Sequence, residues 1–207
     1  MSDTDSTVRT AAALLEIFKD GQAANSITAQ DCRDLISSIT SFIPTCAAQL
    51  QTFDTQTATV ANAMNIVTFD TQHYLENVTH TVGGSSIEIE QDGVYEIIVG
   101  ANFYKTGGGT AIISVGLQEN LGGSPEWVTT STAIRRDVSG NGVAGFASLG
   151  HIDRHSAGDK YRVVWWTNNT LAELQSFDPN AGSPAGQPAG HPVIPSVDFR
   201  LQRVGWL

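Results

Sequence analysis

The sequence predicts a mainly β protein, a sandwich or a barrel, with a short α-helical segment at its N-terminal end. Three observations lead there. From about residue 66 onward, short runs of alternating apolar and polar residues recur between turn signals. Gly is abundant at 20 of 207 residues, while charged residues make up only 15%. Apolar residues at helical spacing are confined to the first 45 positions.

The first helical pattern is "STVRTAAALLEIFKDG", in which Val8, Ala11, Ala12, Leu15 and Phe18 share a face and Gly21 supplies a stop. The second, "SITAQDCRDLISSITSFIP", has Thr28 as N-cap with Asp31 three residues on. Leu35, Ile36, Ile39, Phe42 and Ile43 form its stripe, and Pro44 ends it. Two helices this short enclose little core, so their apolar faces must meet each other, copies of themselves or another protein. Residues 46–65 are rich in Thr, Gln and Ala, with sparse apolar residues, and read as a stalk or connector.

Residues 66–207 read as the β domain. The predicted strands are "NIVTF", "HYLENVT", "SIEIE", "VYEIIVGANFY", "TAIISVGLQ", "WVTTSTAI", "VAGFASLGHI", "KYRVVWWT" and "SVDFRLQRV". In "IEIEQDGVYEIIVGANF" the odd positions from Ile87 to Phe103 fall on one side. Asp92-Gly93 reads as the turn of a hairpin. "KTGGGT" also reads as a hairpin turn, because its Lys precedes the glycines and no strand-loop-helix unit surrounds it, as a phosphate loop requires. Residues 178–195 hold five of the seven prolines and read as a long surface loop or an arm laid over a neighbour.

Composition narrows the function. A net charge of −10, from 21 acidic and 11 basic residues, argues against wrapping nucleic acid. No run of roughly 18 apolar residues predicts a membrane span, and the acidic, polar start does not resemble a secretion signal. Synthesis in the cytoplasm is the expectation. Cys32 and Cys46 stand in no metal-binding or redox spacing and read as two buried free thiols.

Candidate chemistry is sparse. In "HIDRH", His151, Asp153 and His155 would share a face on a regular strand and could hold a divalent metal. With no third imidazole, and with Arg154 and Arg162 nearby, the segment reads instead as a solvated loop. No Ser or Cys has a nucleophile setting, and carboxylate pairs such as Glu88 and Glu90 are expected from composition alone. The expectation is therefore no enzyme, no cofactor and no metal. Trp165 and Trp166, adjacent on a strand, point to opposite faces, one toward the core and one toward an interface.

Two resemblances add to this reading. "QDGVYEIIVGANFY", "SAGDKYRVVWW" and the closing "IPSVDFRLQRVGW" resemble the jelly roll of the tumour necrosis factor-like and complement globular-head-like proteins over residues 66–207. "SITAQDCRDLISSI" looks like a segment of tailed-bacteriophage fibre and capsid-appendage proteins, in which an Ile-Thr/Ser-Ala-x-Asp-x-Arg-Asp run precedes a short helix. Together they imply a virion protein, a trimeric head fibre or capsid decoration protein. An anchoring segment (1–45) would precede a stalk (46–65) and a jelly-roll head (66–207). The anchoring or oligomer contacts would be Leu15, Phe18, Leu35, Ile36, Ile39 and Phe42. The trimer-interface candidates are Tyr95, Phe103, Tyr104, Tyr161, Trp165 and Trp166. The partners implied are two further copies and a phage capsid or other virion protein. The alternative is a short tail or neck fibre tip that binds a host-surface glycan or receptor.

Overall fold

A computed structural model describes residues 29–41, 46–178 and 192–205. The chain divides into two compact units, Met1–Thr45 and Cys46–Leu207. In the first, helix α1 spans Ala29–Ser41, with Asp31 in the first turn, where a carboxylate favours the helix N-terminus. Gln30 Nε2 donates to Asp34 Oδ1 at 2.7 Å, one turn apart. The predicted first helix, with Leu15 and Phe18, lies outside the described residues, as does Phe42.

Among its described residues the second unit holds thirteen strands: β1 (Ala47–Thr52), β2 (Gln56–Thr57), β3 (Met64–Ile66), β4 (Thr71–Glu76), β5 (Val78–His80), β6 (Ile87–Ile89), β7 (Gly93–Lys105), β8 (Thr110–Asn120), β9 (Val128–Ser139), β10 (Val143–His155), β11 (Lys160–Thr167), β12 (Ala172–Leu174) and β13 (Val197–Gly205). They form two antiparallel sheets. The seven-stranded sheet runs β2-β12-β7-β13-β1-β4, with β10 also on β7; the six-stranded sheet runs β5-β6-β11-β8-β9, with β3 also on β11. Inward residues of both sheets make one core that includes Leu50, Phe69, Tyr95, Phe103, Tyr161, Trp165 and Phe199.

The alternation in the 87–103 stretch holds: Ile87, Ile89, Tyr95, Ile97, Val99, Ala101 and Phe103 are all buried. The hairpin does not. β6 pairs with β5 and β11 in one sheet, while β7 pairs with β10, β12 and β13 in the other. Residues 90–92 therefore cross from sheet to sheet, and both strands turn the same parity inward because they face each other across the core. "KTGGGT" crosses likewise, from β7 to β8. Lys105, fully buried, donates its ammonium protons to the carbonyls of Gly107, Gly108 (2.7 Å) and Gly140 (3.0 Å), so the glycine carbonyls satisfy the chain's own lysine.

The expected stalk is not one. Residues 47–52 form β1, paired on one edge with β13 and on the other with β4, and Cys46, Ala48, Leu50 and Thr52 are buried. The predicted strand at 73–79 is two strands in different sheets, divided at Asn77, whose φ of 53° turns the chain. Most of the proline-rich segment lies outside the described residues. Phe177 and Ile194 exchange backbone hydrogen bonds at its two ends, at 3.0 and 2.9 Å.

Gly93 is needed for space, not for a turn. A Cβ there would lie 2.6 Å from Arg203 Nε and 2.9 Å from the Gly205 carbonyl. Arg203 is buried along the strand start, its Nη1 donating to Gln91 Oε1 at 2.7 Å. Gly93→Ala is expected to destabilise the fold by about 1–3 kcal/mol in denaturant unfolding, as overpacking does. Gly108→Ala, with nothing near the added Cβ, should stay within about 0.5 kcal/mol. Equal effects would refute this reading of Gly93.

Both cysteines are free, but only Cys46 is buried; Cys32 is exposed on α1, against the sequence expectation. Cys46 donates its thiol proton to the Asn77 carbonyl at 3.1 Å. Burial pushes its pKa up, beyond what the Tyr95 hydrogen bond and the Arg203 charge restore. Native alkylation should therefore label Cys32 and spare Cys46, with both labelled after denaturation. Mass spectrometry of the labelled peptides checks this.

Candidate functional site

The "HIDRH" segment is not a loop. It is the C-terminal end of β10, paired residue for residue with β7 up to His155↔Gly93. On β10, Ala147 and Leu149 point into the core, so the same parity brings His151, Asp153 and His155 to the inner side. On β8 in the opposite sheet, Ala111, Ile113, Val115 and Leu117 are the buried parity, and Glu119 continues it. The four side chains meet at one end of the sandwich, with a ligand atom from each lying within 4.8 Å of the others.

Each histidine is held from behind. His151 Nδ1 lies 2.8 Å from Thr132 Oγ1 on β9. His151 Nε2 is buried and, among the described residues, has no hydrogen-bond partner; Asp153 Oδ2 is 3.9 Å away, beyond hydrogen-bond reach. His155 is buried, with Nδ1 3.3 Å from Asp159 Oδ2 and Nε2 against the Tyr161 hydroxyl. Asp159 is fixed further by accepting from the Ser156 and Gly122 amides at 2.9 and 2.8 Å. Arg154 and Arg162, read from sequence as local positive charge, sit at the opposite parity. Arg162 turns to Gln118 Oε1 at 2.8 Å and stacks 4.2 Å from the centre of the Trp127 ring.

Burial, then the Glu119, Asp153 and Asp159 charges, push the Tyr161 phenol well above its ordinary range. It stays protonated and serves as a hydrogen-bond donor, not as a nucleophile. The sequence reading missed Glu119, Thr132, Asp159 and Tyr161 as companions of the histidines. A signal did exist in Glu119 and Tyr161, since both continue the inward parity of their strands.

A second feature lies on the outer face of the seven-stranded sheet. Ile98, Phe146 and Ile152 are large apolar residues left exposed at 41%, 60% and 63%. The β7–β10 register sets Ile98 opposite Gly150 and Ile152 opposite Glu96, so the two isoleucines are diagonal neighbours. The Phe146 ring lies over Gly100, where a Cβ would come within 3.2 Å of it.

Of the predicted interface residues, Tyr95, Phe103, Tyr161 and Trp165 are buried within the single chain and belong to its core, which corrects their assignment to a contact between copies. Tyr104 and Trp166 keep part of their surface. On α1, Ile36 is exposed and Leu35 half-buried, while the side chain of Ile39 lies outside the described residues. No protein-family model matches the chain, and no curated protein matches it either.

The buried phenols give a pH prediction. Tyr95, like Tyr161, is pushed up mainly by burial, from an ordinary value of 10.0. A raised folded-state pKa means the folded chain holds the proton more tightly than the unfolded chain. This contribution to stability is complete below pH 10 and is lost as pH rises beyond it. A phenolate absorbance titration should show the two phenols ionising at higher pH in the native than in the denatured protein, and Tyr95→Phe or Tyr161→Phe should shrink that difference. Superimposable native and denatured curves would be evidence against it.

Proposed function

We propose that the protein is a non-enzymatic structural component of a tailed-bacteriophage virion. In this reading it is a homotrimeric jelly roll displayed on the particle surface and held to the capsid through residues 1–45. The single observation that carries it is the uncovered apolar patch of Ile98, Phe146 and Ile152. Apolar residues clustered on an otherwise polar sheet face are stable in water when another surface covers them. A second and third copy of the same face, closed around an axis, is the symmetric way to do so.

The strand order supports the finer fold reading. β1-β13-β7-β10 facing β6-β11-β8-β9 is an eight-stranded, two-sheet arrangement in which the chain crosses between the sheets through short connections at 90–92, 106–109, 140–142 and 156–159. Jelly rolls are wound in this way. The division of the chain into a Met1–Thr45 unit and a Cys46–Leu207 unit supports an attachment role for the N-terminal segment. The separate resemblance of "SITAQDCRDLISSI" to phage appendage proteins directs that attachment to a capsid.

In sedimentation equilibrium, the intact protein is expected at three times the chain mass of 22.0 kDa. Phe146→Asp together with Ile152→Asp should give a folded monomer, because neither side chain is needed by the core. A chain lacking residues 1–45 should remain trimeric yet fail to cosediment with capsids. A monomeric wild type, or a trimer indifferent to the double substitution, would overturn the interface. Capsid binding by the truncated chain would overturn the anchoring role.

A further inference from the structure

We infer that Glu119, His151, Asp153 and His155 form a binding site for one zinc-class divalent ion, which ties the two sheets together at one end of the sandwich. The ligands come from both sheets, Glu119 from β8 and the other three from β10, two strands with no shared hydrogen-bond ladder. Covalent continuity does not bring them together. The facing of the two sheets does.

The donor set fits this ion class. Two imidazole nitrogens and two carboxylate oxygens suit a first-row transition ion, whereas calcium and magnesium take oxygen ligands. Zinc bonds of roughly 2.0–2.2 Å place neighbouring tetrahedral ligand atoms roughly 3.3–3.6 Å apart. The ligand atoms here already lie within 4.8 Å of one another, so closure needs shifts of about 1 Å. Asp153 is the most exposed ligand, with its side chain 54% exposed and one carboxylate oxygen held by the Arg154 amide at 2.7 Å, and it leaves the site open to solvent for ion entry.

Both imidazoles have the outer support that metal-ligating histidines need. Asp159 Oδ2 at His155 Nδ1 favours the tautomer whose Nε2 lone pair turns inward, and Thr132 Oγ1 at His151 Nδ1, a hydroxyl able to accept or donate, accommodates the same tautomer. For His151 that lone pair is buried with no hydrogen-bond partner among the described residues, in the company of two carboxylates. A cation between them satisfies the nitrogen and neutralises the carboxylates at once. For His155, the Tyr161 hydroxyl now occupies Nε2, and ion binding there requires the tyrosine oxygen to move off the lone-pair direction.

The test is calorimetric titration of the intact protein, carrying Cys32→Ser to remove the exposed thiol, with zinc chloride after chelator treatment and dialysis. Calcium chloride and magnesium chloride serve as comparisons. One saturable zinc per chain is expected, with a raised Tm and no comparable uptake of calcium or magnesium. His151→Ala and Glu119→Gln should each weaken zinc binding by about tenfold or more, and Thr132→Val by about tenfold as the loss of a supporting partner. If His151→Ala does not fold, Glu119→Gln, which keeps the side-chain shape, carries the test. No saturable zinc binding, or binding that Glu119→Gln leaves unchanged, would overturn the assignment and leave the cluster an ion-free grouping of imidazoles and carboxylates.

Discussion

The rest of the sandwich depends on β7 being bound along both edges. β10 pairs with it from Gly93 to Lys105 on one edge, and β13 followed by β12 occupies the other. Its inward row, Tyr95, Ile97, Val99, Ala101 and Phe103, is buried without a break. Each large apolar side chain of that row contributes about 1.5–3 kcal/mol. A slip of one residue in any of the three ladders would turn that whole row outward, which is why the register is fixed so firmly. β10, β12 and β13 inherit their positions from it, and β1 and β4 follow through β13.

Such a strand is legible in sequence because alternation is a local property. The inward set from Ile87 to Phe103 could be read residue by residue. Which strand pairs with which is not local. β6 and β7 look like the two arms of a hairpin because their parity agrees, yet parity agrees equally well for strands that face each other across a core. Asn77 escaped notice for the reverse reason: one residue at positive φ divides what reads as a single strand. β1 was hidden by composition, since its inward residues are Ala48, Leu50 and Thr52 and its outward ones include two glutamines. A run so small and polar becomes a central strand only because β13 and β4 flank it.

The aromatic residues show the same limit. Tyr95, Phe103, Tyr161 and Trp165 are the obvious hydrophobic anchors, and the single chain uses them all in its own core. Buried cations are likewise taken up within the single chain. Lys105 is met by three carbonyls, and Arg203 packs onto Gly93 and reaches Gln91. Against that background the buried Nε2 of His151, like Gln175 Oε1, is an exception among the described residues, and leaving such a group unmet costs about 1–3 kcal/mol.

That exception and the uncovered apolar patch lie on the two sides of one strand. Over its last five residues β10 inverts the usual pattern: His151, Asp153 and His155 face inward, while Ile152 faces solvent, in line with the exposed Phe146 earlier on the strand. A strand that only closed the sandwich would have the opposite arrangement, and shifting its register by one residue would restore it. The ladder to β7 forbids that shift, because Ala147 and Leu149 fill the core at the same parity as the histidines. The inversion is therefore held in place by the rest of the fold. Each side then carries one of the two proposals, a cation within and an apolar partner without. The proposed ion site and the proposed trimer face thus follow from one constraint on β10.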